Sequence, residues 1–173
     1  MGKLALVLFA SFAIYTTSGQ GFSTIFDEKS GMEIMLGTCN MEQLKTGSFA
    51  EFFSIYYSSY EVNQDIVAEI NDFFQQNSDS FVSICIVLGT WCGDSHEQVP
   101  PFVKVLENIN SDNIYIENIF CVDRNKTAPN IDLEELFIER VPTFIFYKNG
   151  MEIGRIVETP QKSLEADILD IIN

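Results

Sequence analysis

The apolar run over residues 81–88 constrains the fold of this chain more than any other feature. Its side chains are almost all apolar, with no alternation between a buried and an exposed face. A strand of this kind must be covered on both faces, as strands are in the sheets of α/β proteins. Strands and helices alternate after it. This pattern predicts an α/β domain with a central mixed sheet and helices on both faces.

The other predicted elements follow from apolar spacing and turn residues. Val62, Ile66 and Ile70 are spaced by four residues and predict a helix over residues 62–74. An amphipathic helix is expected after the apolar run, and a last helix is expected to begin with Pro160 after a Thr159 cap. An Asn-Gly pair predicts a tight hairpin between the last two strands. The predicted strands cover residues 81–88, 114–122, 143–147 and 151–157.

Residues 20–61 follow a different pattern. Residues 20–48 are irregular and interrupted by glycines. The aromatic residues that follow recur at helical spacing: Phe49, Phe52, Phe53, Tyr56, Tyr57 and Tyr60. They predict one face of a helix, which either packs on the core or forms an aromatic groove for a client. We expect residues 20–61 to form a helical extension packed on a domain of residues 62–173.

The first residues have the pattern of a secretory signal peptide. Lys3 precedes an apolar run over residues 4–15, and small or polar residues follow up to Gly19. The run is shorter than the ~20 apolar residues of a membrane span. We interpret residues 1–19 as a leader that is cut after Gly19; the alternative is a segment buried in the fold. A leader predicts export to a periplasm or the extracellular space, where disulfides can form.

The net charge of the chain argues against two classes of partner, nucleic acids and anionic membranes. The chain has 10 Lys and Arg against 25 Asp and Glu, which gives a net charge of −15. Nucleic-acid binding requires a basic surface, and this surface repels phosphate. An anionic membrane surface is disfavoured for the same reason.

The strongest chemical signal lies directly after the apolar run. The stretch reads Gly89-Thr90-Trp91-Cys92-Gly93-Asp94-Ser95-His96. It places Cys92 between the end of a strand and the first turn of a helix. Unpaired backbone N–H groups and the positive end of the helix dipole favour a thiolate at such a position. Cys92 is therefore a candidate nucleophile.

These residues resemble the active-site motif of thioredoxins, with the second cysteine replaced by Ser95. Further motifs resemble thioredoxins in the same order along the chain: Pro100 in the next helix, Val141-Pro142-Thr143 before a strand, and Lys148-Asn149-Gly150 with Gly154 in a hairpin. The resemblance covers about residues 62–172 and implies a thioredoxin fold. The leader together with the WCGDS motif is similar, more narrowly, to exported thioredoxin-like proteins of bacteria.

The resemblance also implies roles for individual residues. Cys92 would be the attacking thiol beside Ser95, and Pro142 would follow a cis peptide bond and support an extended segment of a client. The residues expected to bind the client are Trp91, Gly93, Asp94, Val141 and Thr143. The implied partners are protein thiols and disulfides, together with an external thiol reductant.

Two departures from thioredoxins change the expected chemistry. Ser95 cannot resolve a mixed disulfide, so release requires an external thiol or a thiol of the client. Ile86 occupies the position of the buried carboxylate that helps to deprotonate the resolving cysteine of thioredoxins. The two losses are consistent with each other. Ser95 remains able to donate a hydrogen bond to a Cys92 thiolate.

The charged neighbours of Cys92 have opposing effects. The carboxylate of Asp94 disfavours a thiolate, whereas His96, one helical turn from Cys92, favours it when protonated. His96 is the single histidine of the chain. It is either a modulator of Cys92 or a residue of the first turn that faces solvent.

The remaining cysteines have different expected environments. Cys85 and Cys121 lie in predicted strands and are expected to be inert and buried. Cys39 lies in a segment that could be on the surface, where it is either a distal resolving thiol for Cys92 or a structural residue. One histidine and scattered cysteines lack metal-ligand spacing, so we expect neither a metal nor a cofactor.

Two functions are favoured at this point, well ahead of an iron–sulfur carrier resembling the monothiol glutaredoxins, which the Cys-Gly-x-Ser spacing also suggests. The first is thiol–disulfide exchange or isomerisation through mixed disulfides with Cys92. The second is a non-catalytic binding module that holds a client in a cleft between Trp91 and Pro142.

Overall fold

The computed structural model describes residues 21–173, so the predicted leader lies outside the described residues. The strands are β1 (Ser23–Asp27), β2 (Met32–Cys39), β3 (Val82–Leu88), β4 (Ile114–Cys121), β5 (Thr143–Lys148) and β6 (Met151–Val157). The α-helices are α1 (Met41–Leu44), α2 (Ala50–Ser59), α3 (Gln64–Gln76), α4 (Gly93–Asn108) and α5 (Leu164–Ile172). Within this part of the chain, no helix combines the length and apolar character that crossing a membrane requires.

The strands form one six-stranded sheet in the order β1-β2-β4-β3-β5-β6. β3 and β4 are parallel, and all other neighbouring strands are antiparallel. β3 lies inside the sheet, and all its residues except Ser83 are buried. The predicted central strand and mixed sheet are therefore confirmed. The β3–α4–β4 unit, the β5–β6 hairpin and the final α5 helix form a thioredoxin fold.

The two faces of the sheet are covered differently. Side chains of α2, α3, α4 and α5 pack on the face of β3 that carries Ile84, Ile86 and Leu88. The opposite face, which carries Cys85 and Val87, is covered by residues 122–141. The helical element on that face is a short 3-10 turn, Glu134–Leu136. On this face, the expected helical cover is therefore reduced to that single short turn within the described residues.

The first part of the extension differs from its prediction. The sequence predicts an irregular segment over residues 20–48, but β1 and β2 form an antiparallel hairpin there. β2 then pairs with β4 through residues 37–39, which lengthens the central sheet by two strands. The partner strand lies far along the chain, so local sequence does not reveal the pairing. The helical part is confirmed: Phe49 and Phe53 of the aromatic face are buried in the core.

Two predictions about chain turns had different outcomes. Asn149 and Gly150 both have positive φ angles, 53° and 74°, as a type I′ hairpin turn requires. The prediction that α5 begins at Pro160 is wrong. The cap is Ser163, whose hydroxyl accepts a hydrogen bond from the Ala166 N–H at 3.2 Å. The carboxylate of Asp167 holds the preceding segment by accepting two of its backbone N–H groups.

Candidate functional site

Cys92 is the N-cap residue of α4 and lies directly after the end of β3. Its backbone is extended, and its carbonyl accepts the His96 N–H at 3.1 Å, which starts the helix. The side chain is partly exposed. Its Sγ lies 3.3 Å from the carbonyl oxygen of Val141, to which the thiol donates. Cys92 therefore lies at the positive end of a 16-residue helix and is partly exposed as a residue.

The loop opposite Cys92 presents mainly backbone to the sulfur. The Val141–Pro142 peptide bond is cis, and the Val141 side chain is buried. Thr143 is also buried, and its hydroxyl donates to the carbonyl of Arg140 at 2.7 Å. Its hydroxyl stabilises the loop, and the predicted contact of Thr143 with a client stays a prediction.

The indole of Trp91 is fixed beside the thiol. Its Nε1–H donates to the carbonyl of Val122 at 2.9 Å. Its ring also lies over Gly89, where an added Cβ would come within 2.6 Å of a ring atom. Gly89 is thus required by the close approach of the indole. The guanidinium of Arg124 lies 4.5 Å from the ring centroid, within cation–π range.

Thr90 links the loop before Cys92 to the N-terminal segment. Its side chain is buried, and its Oγ1 accepts the backbone N–H of Met35 at 2.9 Å. Its carbonyl oxygen lies 2.8 Å from Nε2 of His96. The loop is therefore held between β2 on one side and α4 on the other.

His96 is a buried residue, so the prediction that it faces solvent is wrong. Its ring stacks on Phe52 with centroids 3.8 Å apart, and Phe49 contacts it edge-on. A carbonyl only accepts hydrogen bonds, so Nε2 carries the proton that Thr90 receives. Burial lowers the pKa of His96 and favours the neutral ring. In this geometry His96 holds the Thr90 loop through its ring nitrogen, and its role as a modulator of Cys92 stays a prediction.

Arg124 is the residue of the site that sequence reasoning missed. It follows β4 and forms a bidentate pair with Asp27 of β1, through N–O distances of 3.2 and 2.7 Å. Hydrogen bonds from Arg124 and then Ser30 hold the pKa of Asp27 well below its usual range. The pKa of Arg124 is raised, chiefly by its hydrogen bonds to Asp27, and charge on Cys92 adds to this effect. No local motif marks Arg124, because its partners come from β1 and from the Trp91 loop.

The remaining residues of the motif differ in accessibility. Gly93 is exposed and Asp94 is partly exposed, and their predicted contact with a client stays a prediction. Ser95 is fully buried, and its Oγ accepts the N–H of Gly89 at 3.3 Å. Its hydroxyl therefore supports the end of β3. The predicted hydrogen bond to a Cys92 thiolate stays a prediction.

The other three cysteines are buried. Burial, together with the charge of Glu117, raises the pKa of Cys85 to about 12. The expectation that Cys39 lies on the surface is wrong, because it is 6% exposed and its Sγ lies 2.6 Å from Sγ of Cys121. Cys39 therefore contacts Cys121 rather than Cys92. Cys121 is consequently not an isolated thiol.

Over residues 21–173, no group of three or more His, Cys, Asp or Glu side chains is arranged to hold a metal ion.

The chain has a thioredoxin-like fold, with one cysteine at the strand-to-helix loop and serine three residues later. No family model matches the chain. It is 25% identical over 103 residues to a thioredoxin of Malassezia sympodialis, a match that spans 60% of this chain and 93% of that protein. It is 29% identical over 101 residues to a thioredoxin of Coprinus comatus, over 58% of this chain and 91% of that protein.

One solved structure among the similar ones is the reduced thioredoxin pre-protein of Schistosoma mansoni. It is 24% identical, covers 60% of this chain and 87% of its own, and has a TM-score of 0.39. The sequence similarity to thioredoxins supports a thioredoxin-like redox function for this chain.

Proposed function

We propose that the protein is an exported monothiol exchange protein that forms mixed disulfides with protein clients through Cys92. One observation carries this proposal. Cys92 is partly exposed at the N-terminus of α4, and its Sγ lies 3.3 Å from the Val141 carbonyl, the backbone that an extended client would meet. The similarity to thioredoxins supports the same chemistry.

In the first step, the Cys92 thiolate attacks one sulfur of a client disulfide. A bond forms between Cys92 and that sulfur, the client disulfide breaks, and the second client sulfur leaves as a thiolate that takes up a proton. The helix dipole stabilises the negative charge on Cys92 before the attack. The carbonyl of Val141, which accepts the Cys92 thiol in the free protein, becomes available to an N–H of the client.

Release of the client requires a second thiol. Ser95 has no sulfur, and its buried hydroxyl is engaged with Gly89. A thiolate of the same client, or an external thiol reductant, attacks the client sulfur of the mixed disulfide and frees Cys92 as a thiolate. Attack by a client thiolate leaves the client with a rearranged disulfide and no net change in oxidation state. This outcome is isomerisation.

The surface around Cys92 fits a client strand rather than a small molecule. Trp91 is held on two sides and provides a rigid apolar wall. Exposed Gly93 leaves the approach to the sulfur open. The cis Val141–Pro142 bond lies opposite, so an extended segment between these walls would pass the sulfur with its backbone facing Val141.

Mixed-disulfide trapping tests the mechanism. The reduced protein is mixed with a peptide that carries one interchain disulfide, and non-reducing mass spectrometry follows the products. We expect an adduct at Cys92 that persists until a thiol is added. Ser95→Cys should release the adduct without added thiol, because a resolving sulfur is now present. Ser95→Ala, the matched control at the same buried site, should retain it.

Three outcomes would contradict the monothiol mechanism. They are the absence of an adduct in the unaltered protein, an adduct that survives Cys92→Ser, and release from the unaltered protein without added thiol. An inert Cys92 in a protein that still binds the reduced peptide would support the binding-module alternative instead.

Export is tested separately. The full chain is expressed in a secreting host, and the mass of the recovered protein is measured. Cleavage after Gly19 supports export, and recovery of the uncut chain inside the cell contradicts it.

A further inference from the structure

Cys39 and Cys121 form a buried pair that the proposed exchange reaction does not use. Cys39 lies at the end of β2 and is 6% exposed, whereas Cys121 lies at the end of β4 and is fully buried. Their Sγ atoms are 2.6 Å apart. A disulfide bond is about 2.05 Å long, so the two sulfurs already lie close to bonding distance.

The register of the two strands explains this contact. Gly37 lies directly opposite Cys121 and has no side chain, and Ile119 lies opposite Cys39. Residues two positions apart on a strand point to the same face, so Cys39 lies on the face of the sheet that carries Cys121. Diagonal neighbours of antiparallel strands are within reach of each other. The pair therefore results from the arrangement of β2 and β4.

We propose that Cys39 and Cys121 form a structural disulfide that joins the N-terminal segment, residues 21–61, to the central sheet. The two cysteines are 82 positions apart in the sequence, so the bond closes a long loop of the unfolded chain. Long loops are those in which a crosslink restricts the unfolded state most. The bond also fixes β2, whose Met35 N–H holds the Thr90 loop before Cys92.

Formation of the bond between Cys39 and Cys121 requires a disulfide oxidant such as oxidised glutathione. One cysteine, as a thiolate, attacks the oxidant, forms a mixed disulfide and releases one glutathione thiolate. The second cysteine attacks the protein sulfur of that mixed disulfide and releases the other glutathione thiolate. Two protons and two electrons thus pass from the cysteine pair to the oxidant, which leaves as two reduced glutathione molecules.

The bond is expected to form while the chain folds. In the folded protein both sulfurs are buried, and contact with Cys39 followed by burial raises the pKa of Cys121. Thiols in this state react slowly with an external oxidant. The same burial protects the finished disulfide from reductants. It is therefore separate from the exchange reaction of Cys92, which requires an accessible sulfur.

Disulfide mapping tests the proposal on the unaltered chain. The reduced, unfolded protein is refolded with a mixture of reduced and oxidised glutathione, denatured in excess alkylating reagent, digested and analysed by mass spectrometry. We expect one crosslinked peptide pair that contains Cys39 and Cys121, lighter by two hydrogen atoms than the sum of the reduced peptides. Cys85, which is buried without a cysteine partner, should be recovered in the alkylated form. Alkylated Cys39 and Cys121, or a crosslink of either to Cys92, would overturn the proposal.

Stability measurements provide a second test. The equilibrium constant for unfolding should be smaller for the oxidised than for the reduced protein, by about a hundredfold. Cys39→Ser should abolish this difference between the two redox forms. Cys85→Ser, a matched change at another buried cysteine, should leave it in place. A difference that persists in Cys39→Ser would show that another bond is responsible. If Cys39→Ser does not fold, the mapping of the unaltered chain decides.

Discussion

Cys92 and Cys121 lie at the same edge of the sheet but in opposite environments. Leu88, the last residue of β3, is paired with Cys121, the last residue of the parallel strand β4. β3 leads through a loop into the N-terminus of α4, so Cys92 lies at the positive end of that helix and is partly exposed. The end of β4 instead pairs with β2, and Cys121 is fully buried there. The chemistry of a cysteine here depends on what covers the strand end rather than on its place in the sheet.

The N-terminal segment, residues 21–61, contacts the surroundings of both cysteines. It buries Cys121 through β2 and supports the Cys92 loop at three points. These points are the Met35 N–H on Thr90, the aromatic contacts of α2 with His96, and the pair between Asp27 and Arg124. Loosening this segment should therefore expose Cys121, whereas removing one support at a time should show which contact acts on Cys92.

The largest effect should appear in the rates of alkylation of the two thiols. In the fully reduced, folded protein at neutral pH, Cys92 should react at least about a thousandfold faster than Cys121, which requires opening of the core. Peptide mass spectrometry over time measures both rates in one sample. Denaturant, as the control, should make them similar. Comparable rates in the folded protein would remove the basis of the comparison.

Phe49→Ala should loosen the packing of the N-terminal segment on the core. Phe49 is fully buried and contacts both Phe53 and His96, so its truncation should cost about 3–5 kcal/mol of stability. Alkylation of Cys121 should become faster while that of Cys92 changes little. Urea unfolding measures the loss. Ile55→Ala, on the exposed side of α2, should cost less than about 0.5 kcal/mol. A similar loss in both variants would contradict the assigned packing.

Thr90→Val should remove the hydrogen bond by which β2 supports the loop before Cys92. It keeps the shape of the side chain but leaves the buried Met35 N–H without its partner, at a cost of about 1–3 kcal/mol. Urea unfolding again measures the change, and Thr24→Val on exposed β1 is the matched control. A loss no larger than that of the control would show that the bond between Met35 and Thr90 does not stabilise the fold.

Of the two thiols, Arg124→Gln should change the reactivity of Cys92 and not that of Cys121. Loss of the positive charge beside Trp91 should slow Cys92 alkylation at neutral pH by about two- to fivefold, because the thiolate loses a favourable interaction. Alkylation of Cys121 should be unchanged. Arg155→Gln removes an equivalent charge paired with Glu152 and should have no effect on Cys92. An unchanged Cys92 rate in Arg124→Gln would exclude Arg124 from the site.

The smallest effect should be a pH dependence due to His96. Burial lowers the pKa of His96 and outweighs the opposing effects of the Thr90 carbonyl and Glu97. The unfolded chain therefore takes up the proton first, and stability should fall as the pH drops below about 6.5. His96→Gln keeps a donor near Thr90 without a titratable ring, so its stability should be less dependent on pH in that range. Equal slopes for both proteins would show that His96 does not contribute.

Local sequence predicts the elements and residues whose signals are short-range. The apolar run of β3, the Asn149-Gly150 turn and the α4 helix depend on neighbouring residues, and all three occur as predicted. Cys92 and Ser95 belong to one contiguous motif. The start of α5 shows the limit of such signals, because Thr159 and Ser163 are both suitable caps. The bonds that Asp167 makes to the preceding backbone accompany the choice of Ser163.

The sequence by itself determined the central strand, the thioredoxin-type order of elements and a single cysteine at the strand-to-helix loop. The pairing of β1 and β2 with the sheet, the burial of His96, the reach of Arg124 to the Trp91 loop and the contact of Cys39 with Cys121 depend on the folded chain. The physical reason is distance along the chain. Periodicity and turn chemistry act between residues a few positions apart, whereas these contacts join strands and loops that only the folded chain brings together.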